Sequence, residues 1–164
     1  MHLSAYWRRW TDWVLTTDKR QRIRLAMAGL AALLMVCCLV VMNAVAAAGL
    51  ANGAHVRVWT VCSVLGLIVV YAAIRSGWSR RFKDPSLTLA QILYSIACCA
   101  VAFVIAGPAR GVTLPILAII LMFGIFGLTT RQMLGILLYG LVVFGVASGV
   151  VALRDEPGYP PVVA

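Results

Sequence analysis

The sequence predicts an all-α protein, a polytopic transmembrane helical bundle, and three observations predict it. Of the 164 residues, 63% are apolar and only 12% charged, against about 45–50% and about 25% in soluble domains. The apolar residues gather in five continuous runs that approach or exceed the ~17–25 residues a helix needs to cross the hydrocarbon layer. The 14 Lys and Arg, set against 5 Asp and Glu, flank those runs. An ordinary soluble fold is excluded, and so is disorder, which needs low hydrophobicity. A net charge of +9 on a polar background would point to nucleic acid. At the ends of apolar runs it points to the lipid bilayer as partner and to no nucleic acid.

Residues 1–16 read as an interfacial amphipathic helix. Leu3, Tyr6 or Trp7, Trp10, and Trp13 or Val14 recur at helical spacing, with Arg8, Arg9 and Asp12 off that stripe. An aromatic, basic helix of this kind lies in the headgroup region. Thr16, Thr17 or Asp18 can cap the first spanning helix, and residues 17–164 form the membrane domain. Its spans are predicted at about 25–45, 58–74, 89–106, 112–128 and 133–153, none containing Lys, Arg, Asp or Glu. Continuous rather than alternating apolar runs require helices, because each segment must satisfy its own backbone in lipid.

The connections carry local signals. Between spans two and three, Asp84-Pro85 offers an N-cap followed by proline at the first helical position. Thr88 to Gln91 matches a capping box, so either site can start span three. Trp78 and Phe82 suit interfacial anchoring. Residues 107–111 (Gly-Pro-Ala-Arg-Gly) and 129–131 (Thr-Thr-Arg) read as tight turns, which makes spans three, four and five antiparallel neighbours. Gly145 and Gly149, with Gly124, Gly127, Gly135 and Gly140 nearby, offer small surfaces for close helix approach. They serve internal packing or a homodimer, with internal packing favoured.

Orientation follows from charge. Eleven positive residues (Arg8, Arg9, Lys19, Arg20, Arg22, Arg24, Arg75, Arg80, Arg81, Lys83 and Arg131) fall on one side, and Arg57, Arg110 and Arg154 on the other. Positive loops stay in the cytoplasm. The expected topology is therefore multi-pass, with a cytoplasmic N-terminus. Five spans leave the far end outside, where a proline-rich stretch turns apolar again at Val162-Val163-Ala164. A sixth span is expected there, missing from this chain.

Little in the sequence points to chemistry. Cys37, Cys38, Cys62, Cys98 and Cys99 lie inside apolar runs without metal or redox spacing, where cysteine is a small hydrophobe. His2 is terminal and His55 sits in a loop, so neither a metal site nor a haem is expected. Polar span residues (Asn43, Thr60, Ser63, Tyr71, Gln91, Tyr94, Ser95, Tyr139, Ser148) are all uncharged, whereas transporters and pumps keep ionisable groups at membrane depth. No catalytic residue is assigned. A bound molecule, if present, is expected between spans and largely apolar.

The stretch 75–91, Arg-Ser-Gly-Trp-Ser-Arg-Arg-Phe-Lys-Asp-Pro-Ser-Leu-Thr-Leu-Ala-Gln, resembles the second cytoplasmic loop of the multi-span membrane sensor domain that precedes proteobacterial GGDEF-type diguanylate cyclases. The family pattern is close to R-F-x-D-P-S-L-T-L-P-Q, and this chain departs from it at Ala90, where proline is usual. Residues 17–24 and 121–128 are similar to the family's lead into span one and to its span four. The resemblance covers roughly residues 12–156. It implies a six-span sensor or anchor controlling a cytoplasmic cyclase that condenses two GTP, with Mg²⁺, into cyclic di-GMP as a homodimer. The catalytic motif is absent here, so GTP and Mg²⁺ belong to a missing domain. Arg81, Phe82, Asp84, Pro85, Ser86, Thr88 and Gln91 then form a ligand lip or a contact to the downstream helix, or equally a capped helix start. The alternatives are a free-standing small membrane protein or transporter subunit, and the sensor of a histidine kinase or adenylate cyclase.

Overall fold

Apolar runs of this length fold as helices, and the computed structural model, which describes residues 19–81, 87–125 and 128–153, contains helices and turns and no strand among them. Helix α1 runs over Lys19–Ala47 and α2 over Gly53–Arg75. A 3-10 turn at Trp78–Arg81 comes next, then α3 over Thr88–Ile105. A second 3-10 segment, Gly107–Val112, leads into α4, Thr113–Ile125, and α5 covers Thr130–Leu153. The interfacial helix expected at 1–16, residues 82–86 of the polar loop and the 154–164 tail lie outside the described residues.

Among the described residues, four segments are long and apolar enough to cross a membrane: Ala28–Ala47, Gly53–Arg75, Thr88–Ile105 and Thr130–Leu153. Within the run expected to span at 112–128, the described α-helix covers Thr113–Ile125, 13 residues or ~20 Å of helix against a hydrocarbon layer of ~30 Å, and residues 126–127 lie outside the described residues. Its start is wound instead as 3-10 helix, since Gly107 takes φ +53° and Pro108 brings no N–H. Other boundaries move for equally local reasons. The first helix already includes Lys19, the first described residue, well before the expected start at 25, because Lys, Arg and Gln are good helix formers. The second begins at Gly53 rather than 58, because Asn52 caps it, Oδ1 accepting from the backbone N–H groups of Ala54 (2.9 Å) and His55 (3.3 Å).

The expected capping box at Thr88–Gln91 is not how α3 starts. Its N-cap is Leu87, at φ 53°, with no side-chain cap bond. A reciprocal box occurs instead at α5. Thr129 N–H donates to Gln132 Oε1 at 2.9 Å, and Gln132 N–H donates to Thr129 Oγ1 at 3.4 Å.

Contacts fix the helix directions. Ala28 meets Ile74, and Asn43 meets Thr60, so α1 and α2 are antiparallel. Trp59 reaches Cys98 and Cys62 reaches Tyr94, which sets α3 antiparallel to α2. Cys99 meets Thr113, while Gly124 lies beside Ile92, so α4 runs back along α3. Gly124 also abuts Met133, and Phe103 stacks near Phe144 with ring centroids 5.8 Å apart, which places α5 parallel to α3. Helix α3 is the central element, touching all the others. The two helices after it both lie against α3, and they meet each other chiefly near their connecting turn. The expected antiparallel row of spans three, four and five is thus arranged around α3.

Most of the apolar surface faces outward. Only 17–33% of each long apolar segment is buried, and Val58, Val69, Leu141 and Leu153 are all well exposed. In water such a surface would drive aggregation; in hydrocarbon it is at home. Its apolar helices associate the molecule with a lipid bilayer.

Candidate functional site

Inside the bundle, polar side chains are spent on joining helices. Asn43 Nδ2 donates to Thr60 Oγ1 at 3.0 Å and to Leu39 O at 2.8 Å, linking α1 to α2. Trp59 Nε1 donates to Cys98 O at 2.9 Å, and the Tyr94 hydroxyl donates to Cys62 O at 2.8 Å, linking α2 to α3. The fully buried Ser63 hydroxyl points at Cys98 Sγ, 3.8 Å away. The Cys99 thiol donates to Thr113 O at 3.3 Å, and Thr113 Oγ1 donates to Arg110 O at 2.7 Å, holding α4 to α3. Such bonds average ~0.6 kcal/mol each in membrane bundles. No buried side-chain N or O among the described residues lacks a partner. By contrast, α5 is attached to α3 by apolar contacts, the Phe103–Phe144 pair and the cluster of Ile92, Ile96 and Ile136.

All five cysteines are free thiols, with Cys38, Cys98 and Cys99 buried and Cys37 and Cys62 exposed. No group of His, Cys, Asp or Glu among the described residues is arranged to hold a metal ion.

A crevice lies between α1, α3 and α4. These helices leave it because α1 and α4 each lie against α3 while barely touching one another. Two voids adjoin there. Ala31, Leu34, Gln91 and Ile92 line the first; Met42, Trp59, Ala102 and Thr113 are among the residues lining the second; Met35, Cys38, Ser95 and Ile120 line both. Each void offers about 20 Å³ of accessible space, room for about one water-sized group, within about 390 and 290 Å³ of atom-free space that includes the open mouth. The walls are mostly apolar, with Gln91, Ser95, Thr113 and the Trp59 indole N–H the polar exceptions beside three thiols. Ser95 is half-buried, lines both voids and hydrogen-bonds through its side chain to no other described residue. At the end of the bundle bearing the 48–52 loop, a wider depression of about 440 Å³ lies between residues 49–55 and 104–108. There Gly107 is required: a Cβ would sit 2.9 Å from Leu50 O, at a left-handed φ.

The residues singled out in the sequence are divided by the structure. Arg81 is exposed at the end of the 3-10 turn. Phe82, Asp84, Pro85 and Ser86 lie outside the described residues. Thr88 and Gln91 occupy the first turn of α3, half-buried, and Gln91 lines the crevice. Gly145 and Gly149 sit on the exposed face of α5 with no heavy atom within 4 Å of where a Cβ would be. Sequence reasoning missed Ser95 as a lining residue. Its hydroxyl four residues after Gln91, on the same helix face, was the available signal.

No protein-family model matches the chain, and no curated protein or solved structure matches it either. The likeness of residues 75–91 to the sensor domains therefore rests on those residues.

Proposed function

We propose that this chain is the membrane-embedded sensory and anchoring domain of a signalling protein whose output is a cytoplasmic diguanylate cyclase making cyclic di-GMP from GTP. One observation carries the reading. The polar side chains inside the bundle tie helices together or face a narrow crevice, and none of the described span interiors holds an ionisable relay of the kind a pump or carrier needs. A bundle built this way holds a position in the membrane and changes its helix arrangement; it does not process a polar substrate. The pattern at residues 75–91 supplies the identity of the output.

In this reading the chain crosses the bacterial inner membrane five times from a cytoplasmic N-terminus. The 3-10 segment and α4 together cover Gly107–Ile125, which at ~2.0 and ~1.5 Å per residue is ~30 Å if collinear, enough for a crossing. The open face of α5, with Gly145 and Gly149, is the surface on which a second copy packs in the full-length homodimer. Residues 81–91 couple the bundle to the helix that enters the cyclase.

The test uses the intact gene product in bacterial membranes, with cellular cyclic di-GMP as the readout. Asp84→Ala and Gln91→Ala are expected to shift its level severalfold while leaving the amount of protein in the membrane unchanged. A gene product without a cyclase domain, or levels indifferent to both substitutions, would contradict the proposal.

A further inference from the structure

We propose that one end of the bundle, where α1 begins, α2 ends and α3 and α5 start, is a docking surface for anionic phospholipid headgroups in preference to zwitterionic ones. The proposal rests on the bilayer-embedded bundle and not on the identity of its output. Two sets of contacts bring that end together. Ala28 of α1 packs on Ile74 of α2, with Leu87, just ahead of α3, against them. Gly124 of α4 lies beside Ile92 of α3 and Met133 of α5. The described residues include ten Lys and Arg, and eight of these belong to this end. Four of the eight lie in the first turns of α1 (Lys19, Arg20, Arg22 and Arg24), three at positions 75, 80 and 81, and one, Arg131, in the first turn of α5. The opposite end has Arg57 and Arg110, and Arg110 is turned onto its own connection, Nε donating to Gly107 O at 2.8 Å. None of the five Asp and Glu of the chain falls among the described residues.

Depth decides what these cations meet. The apolar segment of α1 starts at Ala28, level with the end of α2, so hydrocarbon gives way to headgroups there. At ~1.5 Å per residue, Arg24 and Arg22 stand ~6 and ~9 Å further out along the α1 axis, and Lys19 ~14 Å. A headgroup layer is ~5–8 Å thick, half the difference between the ~30 Å core and the ~40–45 Å full width. Helix α1 therefore carries its cations through the headgroup layer, while Arg75, Arg81 and Arg131, all exposed, ring its inner boundary. Trp78 is exposed beside them, and its amphipathic indole suits the same layer. Just inside this end, Leu30, Val69 and Leu134 are exposed to acyl chains. One lipid molecule can thus place its chains on those apolar faces and its phosphate on the cations above. A soluble polyanion or an acidic protein surface would have to approach from the water side, past a headgroup layer already at the right depth. A zwitterionic headgroup brings an ammonium that the cations repel; an anionic one does not. One cation near an anionic surface contributes roughly fivefold in association.

The experiment reconstitutes the full chain in phosphatidylcholine vesicles with a trace of spin-labelled phosphatidylglycerol or spin-labelled phosphatidylcholine. Electron paramagnetic resonance reads the fraction of each label held at the protein. Phosphatidylglycerol is expected to associate roughly threefold to fivefold more strongly at low salt. The two lipids are expected to become nearly equal at ~1 M salt, where screening acts within ~3 Å. Lys19→Gln, Arg20→Gln, Arg22→Gln and Arg24→Gln together are expected to remove at least half of the preference, since glutamine keeps the helix propensity without the charge. Adding Arg81→Gln and Arg131→Gln is expected to remove most of the rest. Arg57→Gln with Arg110→Gln, at the opposite end, is expected to leave the preference unchanged. Circular dichroism checks that each variant keeps its helices, and the salt titration tests the unaltered chain should a variant not fold. Equal association of the two lipids at low salt, or a preference that ~1 M salt leaves intact, overturns the proposal. So does a preference that survives all six substitutions or is lost through the Arg57 and Arg110 pair.

Discussion

Gly66 shows how closely α2 and α3 are fitted. The Tyr94 ring lies over it, and any side chain there would occupy the same space as the ring. The same tyrosine donates its hydroxyl to Cys62 O, one turn earlier on α2. A larger residue must expel the ring and break that bond together. Gly66→Val is therefore expected to destabilise the bundle by ~1–3 kcal/mol, the usual cost of overpacking, measured by reversible unfolding in mixed micelles. Gly66→Val with Tyr94→Ala is expected to recover part of the loss, because the obstruction is gone. Neither the Gly66–Tyr94 fit nor the Trp59–Cys98 bond was legible in the sequence. Both depend on which face of α2 meets α3, and an apolar run without a charged stripe does not announce its inner face.

Helix existence was far more legible than helix boundaries. Membrane helices are set by runs of apolar residues, and among the described residues four of the five runs are helices long enough to span. The ends are decided by single hydrogen bonds that compete closely. Thr88–Gln91 and Thr129–Gln132 share the same spacing, yet only the second forms a capping box. At α3 the preceding Leu87 adopts the left-handed conformation and takes the cap position instead. For α5, Thr129→Ala is expected to cost ~0.5–2 kcal/mol and to fray the first turn, seen as faster amide exchange at Arg131 and Gln132. The 107–112 segment was likewise legible as a break, through Gly107 and Pro108, but its 3-10 winding was not.

At the scale of the whole molecule, composition and charge placement were enough to expect a bilayer-embedded helical bundle. What they could not supply was the arrangement: α3 at the centre, α5 held by apolar contact alone, and a crevice where α1 and α4 fail to meet. Those features arise from the sum of side-chain volumes across helices far apart in sequence. For the proposed signalling role, the central α3, which touches every other α-helix, is the element that would carry a change from one end of the bundle to the other. The most direct test of this role is the path of the chain through the membrane. Single cysteines introduced as Ala51→Cys, Ser76→Cys, Ala109→Cys and Thr129→Cys are probed in intact cells with a membrane-impermeant maleimide, the native thiols lying within the apolar runs. Labelling from outside is expected at positions 51 and 109, and labelling at 76 and 129 only after the membrane is opened. Labelling of 109 and 129 from the same side would show that α4 does not cross, and labelling of 76 from outside would contradict the orientation on which the signalling role depends.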